Sequence, residues 1–361
     1  MKKALALLLP LCLCISLLVA CNSNTGNTPP VSNNSPMGTD PSTSSGGDED
    51  TTPGEVYTLK WGTVSAEFTP VGQAMKVVAE EVEKRTNGCV KLELYFASTL
   101  GKANEMADGL LLGAVDIANL NAGVVSTYGV EKAQVFNLPF VFQSDDHVKA
   151  TIDTYGDEIL TNAEDVIGLP LGCWSMGWRS IMNSKRDITS LEDFDGLMLR
   201  VQSGTVFTDS FAALGCSPQT MAIGEVFTSI QQGILDGHEA PVDQFYGESN
   251  DEIMSHLTLT RHICGITIPV LSNVTVSKLP AEYLTTIKEV FDEYEWYSAG
   301  IHAAQEDEQV KAMIERSGIT VTEPDETLKA AMREAVAPVI EDFIPVVGED
   351  MYNGIIALGN G

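Results

Sequence analysis

Arg200 stands between Leu199 and Val201 in the run Gly196-Leu197-Met198-Leu199-Arg200-Val201, and a guanidinium in so apolar a strand requires an anion. Burying an unpaired charge is costly, so the partner comes either from the chain or from outside it. Inside the chain, Asp195 and Glu225 are the acidic candidates. From outside, a carboxylate fits: the planar guanidinium fork holds it through two parallel N–H···O bonds and stays charged at any relevant pH. Spacing alone leaves both readings open. A second arginine, Arg179, lies upstream in Trp178-Arg179-Ser180-Ile181-Met182-Asn183, and the stretch Gly224-Glu225-Val226 to Glu239-Ala240-Pro241 follows downstream.

The common catalytic arrangements fail on inspection. His238-Glu239 is followed by Ala240-Pro241-Val242, so no second histidine completes H-E-x-x-H, and the proline would break the helix that motif needs. Ser175 lies in Gly172-Cys173-Trp174-Ser175-Met176-Gly177, one residue too long for a nucleophile elbow. Gly101-Lys102 lacks the upstream glycine of a phosphate loop. Cys89, Cys173, Cys216 and Cys264 are widely spaced, with no C-x-x-C and no clustered histidines, which argues against zinc; disulfides and free thiols are both compatible with that spacing.

The elements that must position the arginines read as alternating strand and helix. Tyr57 to Trp61 alternates as a strand, Thr69 caps and Pro70 opens a helix with Met75, Val78 and Val82 on one face, and Val90, Leu92, Leu94 and Phe96 alternate as a second strand. Such units imply a mainly parallel, mixed sheet with helices on both sides. From Pro280 to about Ile314 apolar and aromatic residues recur at helical spacing, and Gly300 is the expected kink. Roughly 300 residues from Val56 onward suffice for two domains with their own cores.

The N-terminus points outside the cell. Lys2 and Lys3 precede an apolar run from Ala4 to Ala20, right for a signal peptide and short for a membrane span. Leu18-Val19-Ala20-Cys21 resembles a lipoprotein cleavage box, so residues 1–20 are expected to be removed and Cys21 to carry lipid. Residues 21–55 are rich in Ser, Thr, Asn, Pro and Gly and read as a flexible tether. A formal net charge of -29 makes nucleic acid and anionic headgroups poor partners. A desolvated arginine still acts on an anion at contact, because surface charges are screened beyond about 8 Å.

Together with Val82-Glu83-Lys84-Arg85-Thr86-Asn87-Gly88, Asn137-Leu138-Pro139-Phe140-Val141-Phe142 and the helix after Lys278-Leu279-Pro280, these segments resemble the solute-binding subunits of TRAP transporters, the DctP-like family, over roughly residues 56 to 345. The resemblance implies an α/β, two-lobed periplasmic-binding-protein-like fold with mixed sheets, hinge strands near residues 176–178 and 266–270, and a long helix spanning both lobes. Lobe I is expected at 56–177, completed by roughly 266–300, and lobe II at 178–265, completed by helices at roughly 301–345. The implied function is an extracytoplasmic receptor, held by its lipid on the outer face of the bacterial cytoplasmic membrane, that captures a small organic acid and delivers it to TRAP membrane subunits. No enzyme activity, cofactor or metal is expected.

Residue by residue, the resemblance matches Arg200 to an arginine that grips the ligand carboxylate and Arg179 to a second that supports it. Asn121 falls where sialic-acid-binding members place a glutamate, and Ala66-Glu67-Phe68 matches a loop that closes over ligand. Asn121 as a turn cap and Glu67 as a solvated carboxylate are the plainer readings of those two. Ile223 replaces an aromatic residue and Ala240 an asparagine found in many members, so both are expected beside the clamp, reading the rest of the ligand. A lipoprotein presenting bound acid to a sensor, or a secreted enzyme with a scattered site, are the alternatives. Neighbouring transporter genes separate the first from the receptor, and turnover of a bound acid identifies the second.

Overall fold

The computed structural model describes residues 55–359; the proposed signal peptide and Cys21 lie outside them. Ten strands are present among the described residues: β1 Tyr57–Thr63, β2 Val90–Tyr95, β3 Ile117–Asn121, β4 Leu169–Pro170, β5 Trp174–Asn183, β6 Leu199–Val201, β7 Gln219–Thr220, β8 Gly237–Pro241, β9 His256–Leu271 and β10 Thr320–Thr322. They form one mixed sheet whose main path runs β2-β1-β3-β9-β5-β8-β6-β7, with β4 and β10 also pairing with β9. β1 pairs in parallel with β2 and β3, and β6 in parallel with β7 and β8. The two parallel groups join only through the antiparallel β9 and β5, so these two strands carry the chain from one half to the other.

The helix Pro70–Arg85 begins as its sequence dictates: the Thr69 side chain accepts from Gly72 N and Pro70 occupies the first turn. Its Met75, Val78 and Val82 bury against Trp61, Trp174 and Phe291 on one face of the first half. Met106, Leu110, Phe136 and Ile152 cover another core of the same half. The second half is built likewise, with Phe194, Leu199, Phe207 and Met332 in one cluster and Met182, Leu235, Ala240 and Phe245 in the other.

The long apolar run is two helices, Ala281–Glu293 and Tyr297–Ser317. The break falls at Tyr294-Glu295-Trp296, and Gly300 lies inside the second helix, correcting the expected kink. The Glu295 carboxylate accepts from Cys173 N at 2.6 Å, a contact that holds the interruption against the sheet. The second helix packs on helix Pro70–Arg85, on β5 and on helix Val242–Gly247, and so reaches both halves. The helix Glu326–Val347 starts in the second half's core, through Leu328 and Met332, and ends with Val347 in the first. The four cysteines after the tether are free thiols.

Gly177 in β5 has φ +90, a conformation a side chain would strain. The His302 ring fills the place a Cβ would take, 2.3 Å from it. Register shifts in the β5–β9 pairing fall on either side, between Ser175 and Gly177 and between Arg179 and Ile181, so the crossing strands are irregular where the halves meet.

Candidate functional site

A cavity of about 670 Å³ lies between the halves. From one side it is lined by Ser65, Ala66, Lys102, Asn121 and Val124, from the other by Arg200, Gln202, Ile223, Pro241 and Glu248, with Met176 and Arg179 of the crossing strand β5 at its base.

Arg200 reaches it by strand alternation. Leu199 and Val201 turn into the second half's core, which leaves Arg200 between them to point the other way. The side chain is 7% exposed. Its Nε donates to the Met221 carbonyl at 3.0 Å. Among the described residues no carboxylate comes within ion-pairing distance, and Nη1 and Nη2 have no hydrogen-bond partner. Burial pushes its pKa down to about 10; Glu239 and Glu248 oppose that shift from a distance, and Arg179 adds to it. Neither of the internal partners considered from sequence forms an ion pair with it. Glu225 pairs with Lys102 at 3.2 Å, and the Asp195 carboxylate packs against Gly215.

Arg179 is different. Its Nε donates to Glu239 Oε2 and its Nη2 to the Glu239 carbonyl at 2.8 Å, with both side chains buried. Gln202 lies beside it. With its amide oxygen turned to the arginine, it accepts from Nη1 at 2.8 Å and Nη2 at 3.1 Å. On its other side its amide nitrogen then faces the Asn121 amide at 2.8 Å and donates to it when the Asn121 oxygen is turned to meet it, a contact between the two halves across the cavity. Asn121 makes no side-chain cap on the helix it precedes, contrary to the plainer turn-cap reading.

Further contacts cross the opening. Lys102 Nζ meets Glu225 Oε1 at 3.2 Å, and the Phe68 ring occupies the space beside Gly247 where a side chain would otherwise be. Gln202, Glu239 and Glu248 are not assigned to the site from sequence; only the folded register, which sets Arg179 opposite Pro241 and Ile181 opposite Glu239, brings the Glu239 side chain to Arg179.

Three of the residues expected at the site do not line it. Ala240 is fully buried in the cluster of Met182, Val226, Leu235 and Phe245. Alternation along β8 turns its methyl under the helices Val226–Gln231 and Val242–Gly247, while the next residue, Pro241, faces the cavity. Glu67 is exposed and pairs with Lys76 at 2.5 Å. Phe68 sits at the rim on Gly247, and of that loop Ala66 borders the cavity. Arg200, Arg179, Asn121 and Ile223 all line it.

The family model described as bacterial extracellular solute-binding protein, family 7, matches residues 61–345. A C4-dicarboxylate-binding periplasmic protein of Rhodobacter capsulatus is 30% identical over 305 residues, covering 84% of this chain and 91% of that protein. A TRAP periplasmic solute-binding protein of Sulfurospirillum deleyianum, solved with bound succinate, superposes with a TM-score of 0.79 at 27% identity, covering 84% of this chain and 99% of the other. A Polaromonas TRAP periplasmic solute-binding protein bound to D-erythronate gives 0.78 at 26% identity, over 83% and 98%.

Proposed function

The chain belongs to the bacterial extracellular solute-binding proteins of family 7, and from that premise we propose that it captures a small organic acid through Arg200 and hands it to TRAP membrane subunits. The observation that carries this reading is the Arg200 guanidinium: buried, held at Nε by a backbone carbonyl, and without an internal carboxylate. An acid carboxylate placed on its two terminal nitrogens completes a bidentate pair out of water. Arg179, already neutralised by Glu239, positions Gln202 and Asn121 rather than taking the acid itself. Relatives solved with succinate and D-erythronate support a carboxylate ligand.

In this reading the lobes follow the boundaries given above, and β5 and β9 are the hinge. An open form samples closure, and the acid on Arg200 favours the closed form in which Asn121 meets Gln202 and Lys102 meets Glu225. Ile223 supplies an apolar wall beside the clamp. Cys21 carries the lipid that holds the receptor at the membrane, with residues 22–55 as its tether. Micromolar affinity corresponds to roughly 8 kcal/mol, within reach of one desolvated clamp and a cavity of this kind.

Thermal unfolding of the purified protein against a panel of organic acids tests the reading. A true ligand at a hundred times its dissociation constant raises stability by about 2.7 kcal/mol. A panel of mono- and dicarboxylates, sugar acids and amino acids that leaves the unfolding temperature unchanged would count against it.

A further inference from the structure

Apart from the exposed Glu105, all but two of the charges on the cavity wall have a counter-charge within the chain. Arg179 is neutralised by Glu239, Lys102 and Glu225 by each other, and Asp243 by His302 at 3.3 Å. Glu105 is exposed and accepts from Lys102 N at the start of its helix. The remaining pair is Arg200 and Glu248.

Glu248, half-buried at the end of helix Val242–Gly247, has its two oxygens held by neutral amides: Gln244 Nε2 donates to Oε1 at 3.0 Å and Asn250 Nδ2 to Oε2 at 3.3 Å. Asn250 is in turn fixed by His238 Nε2 at 2.8 Å. His238 supplies no positive charge, since burial pushes its pKa down to about 4. Burial raises the Glu248 carboxyl above its ordinary range, as befits a carboxylate with no cation in contact. Among the described residues no Lys, Arg or His lies within ion-pairing distance of it, and it does not reach Arg200.

We propose that the ligand is a zwitterion, its carboxylate on Arg200 and a protonated nitrogen on Glu248. This rests on the reading of Arg200 as the carboxylate clamp. With both ends seated, the two leftover charges are neutralised at once. A second carboxylate at that end would instead meet Glu248 as a like charge in a poorly solvated site. A hydroxyl there supplies a hydrogen bond and no counter-charge, and two amides already donate to Glu248. The held geometry of Glu248, through Asn250 and His238, makes it a specificity residue rather than a mobile surface acid.

Isothermal titration of the purified protein with three probe series of increasing chain length decides it: ω-amino acids from 3-aminopropanoate to 6-aminohexanoate, α,ω-dicarboxylates from malonate to adipate, and simple monocarboxylates. The expected result is an ω-amino acid bound at least about tenfold more tightly than the dicarboxylate and monocarboxylate of similar length. Glu248→Gln should remove that preference, bringing the ω-amino acid to within about twofold of the monocarboxylate of similar length in the same variant. A dicarboxylate or monocarboxylate bound at least as tightly as every ω-amino acid overturns the proposal while the clamp stands. If acids bind and Arg200→Ala binds them equally well, the clamp reading fails with it.

Discussion

Arg179 and Glu239 form a buried ion pair at the base of the cavity, 2% and 0% exposed, in which the arginine grips both the carboxylate and the backbone carbonyl of the same residue. β5 and β8 run antiparallel there, with Arg179 opposite Pro241, so the pair staples the crossing strand to the second half. It also fixes the guanidinium edge that Gln202 meets. One arginine of the cavity is thus paired within the chain, and the other, Arg200, meets only a backbone carbonyl.

Removing one member of such a pair strands a buried charge. Glu239→Gln should therefore destabilise the protein by about 3 to 5 kcal/mol, read by denaturant unfolding. Burial disfavours the Glu239 charge, but Arg179 and His262 more than compensate and hold its pKa at about 2. A depressed carboxylate contributes stability that is complete above its unfolded value of about 4.5 and is lost as pH falls towards 2. In the Gln variant that acid-side loss should shrink.

His302 behaves in the opposite sense. Against the penalty of burial, Asp243 at 3.3 Å and Glu306 at 3.0 Å raise its pKa to about 9. The ring packs on Gly177 of the crossing strand, and Arg261 in turn neutralises Glu306 at 2.9 Å. A raised histidine stabilises fully below its unfolded value of 6.5, and that contribution disappears as pH rises through 9. His302→Gln should flatten the fall of the unfolding temperature over this window, removing roughly 2 kcal/mol at neutral pH. An unchanged pH profile would show that the ring is there only to fill space.

Cys21→Ala tests the anchor. Metabolic labelling with a radioactive fatty acid should label the parent and not the variant, and the variant should leave the membrane fraction while its unfolding temperature stays the same. Labelling that persists removes Cys21 as the attachment site.

The place of Arg200 on the cavity wall was legible in the sequence because a charge inside Leu199-Arg200-Val201 breaks a local rule, and such breaks concentrate where a chain works. The opening strands and the Thr69-Pro70 helix start were legible too, since alternation and capping are local. What could not be read was parity across the sheet. Ala240 and Pro241 are neighbours, yet one faces the core and the other the cavity, and only the pairing with β5 decides which. The same long-range register brings Glu239 to Arg179, and nothing near either residue in sequence signals it. Gly300 was the obvious weak point of the long helix by propensity, but tertiary contacts at Glu295 and Trp296 set the break instead.

Whether Arg200 takes the ligand carboxylate is read by isothermal titration of parent, Arg200→Lys and Arg200→Ala with the acid found by thermal shift. Lysine keeps the charge and loses the bidentate fork, whereas alanine loses both. Both variants should bind more weakly, with alanine costing about 2 kcal/mol or more, since the carboxylate is then buried unpaired. An alanine variant that folds and binds the acid as tightly as the parent would contradict it and make Arg200 a purely structural charge.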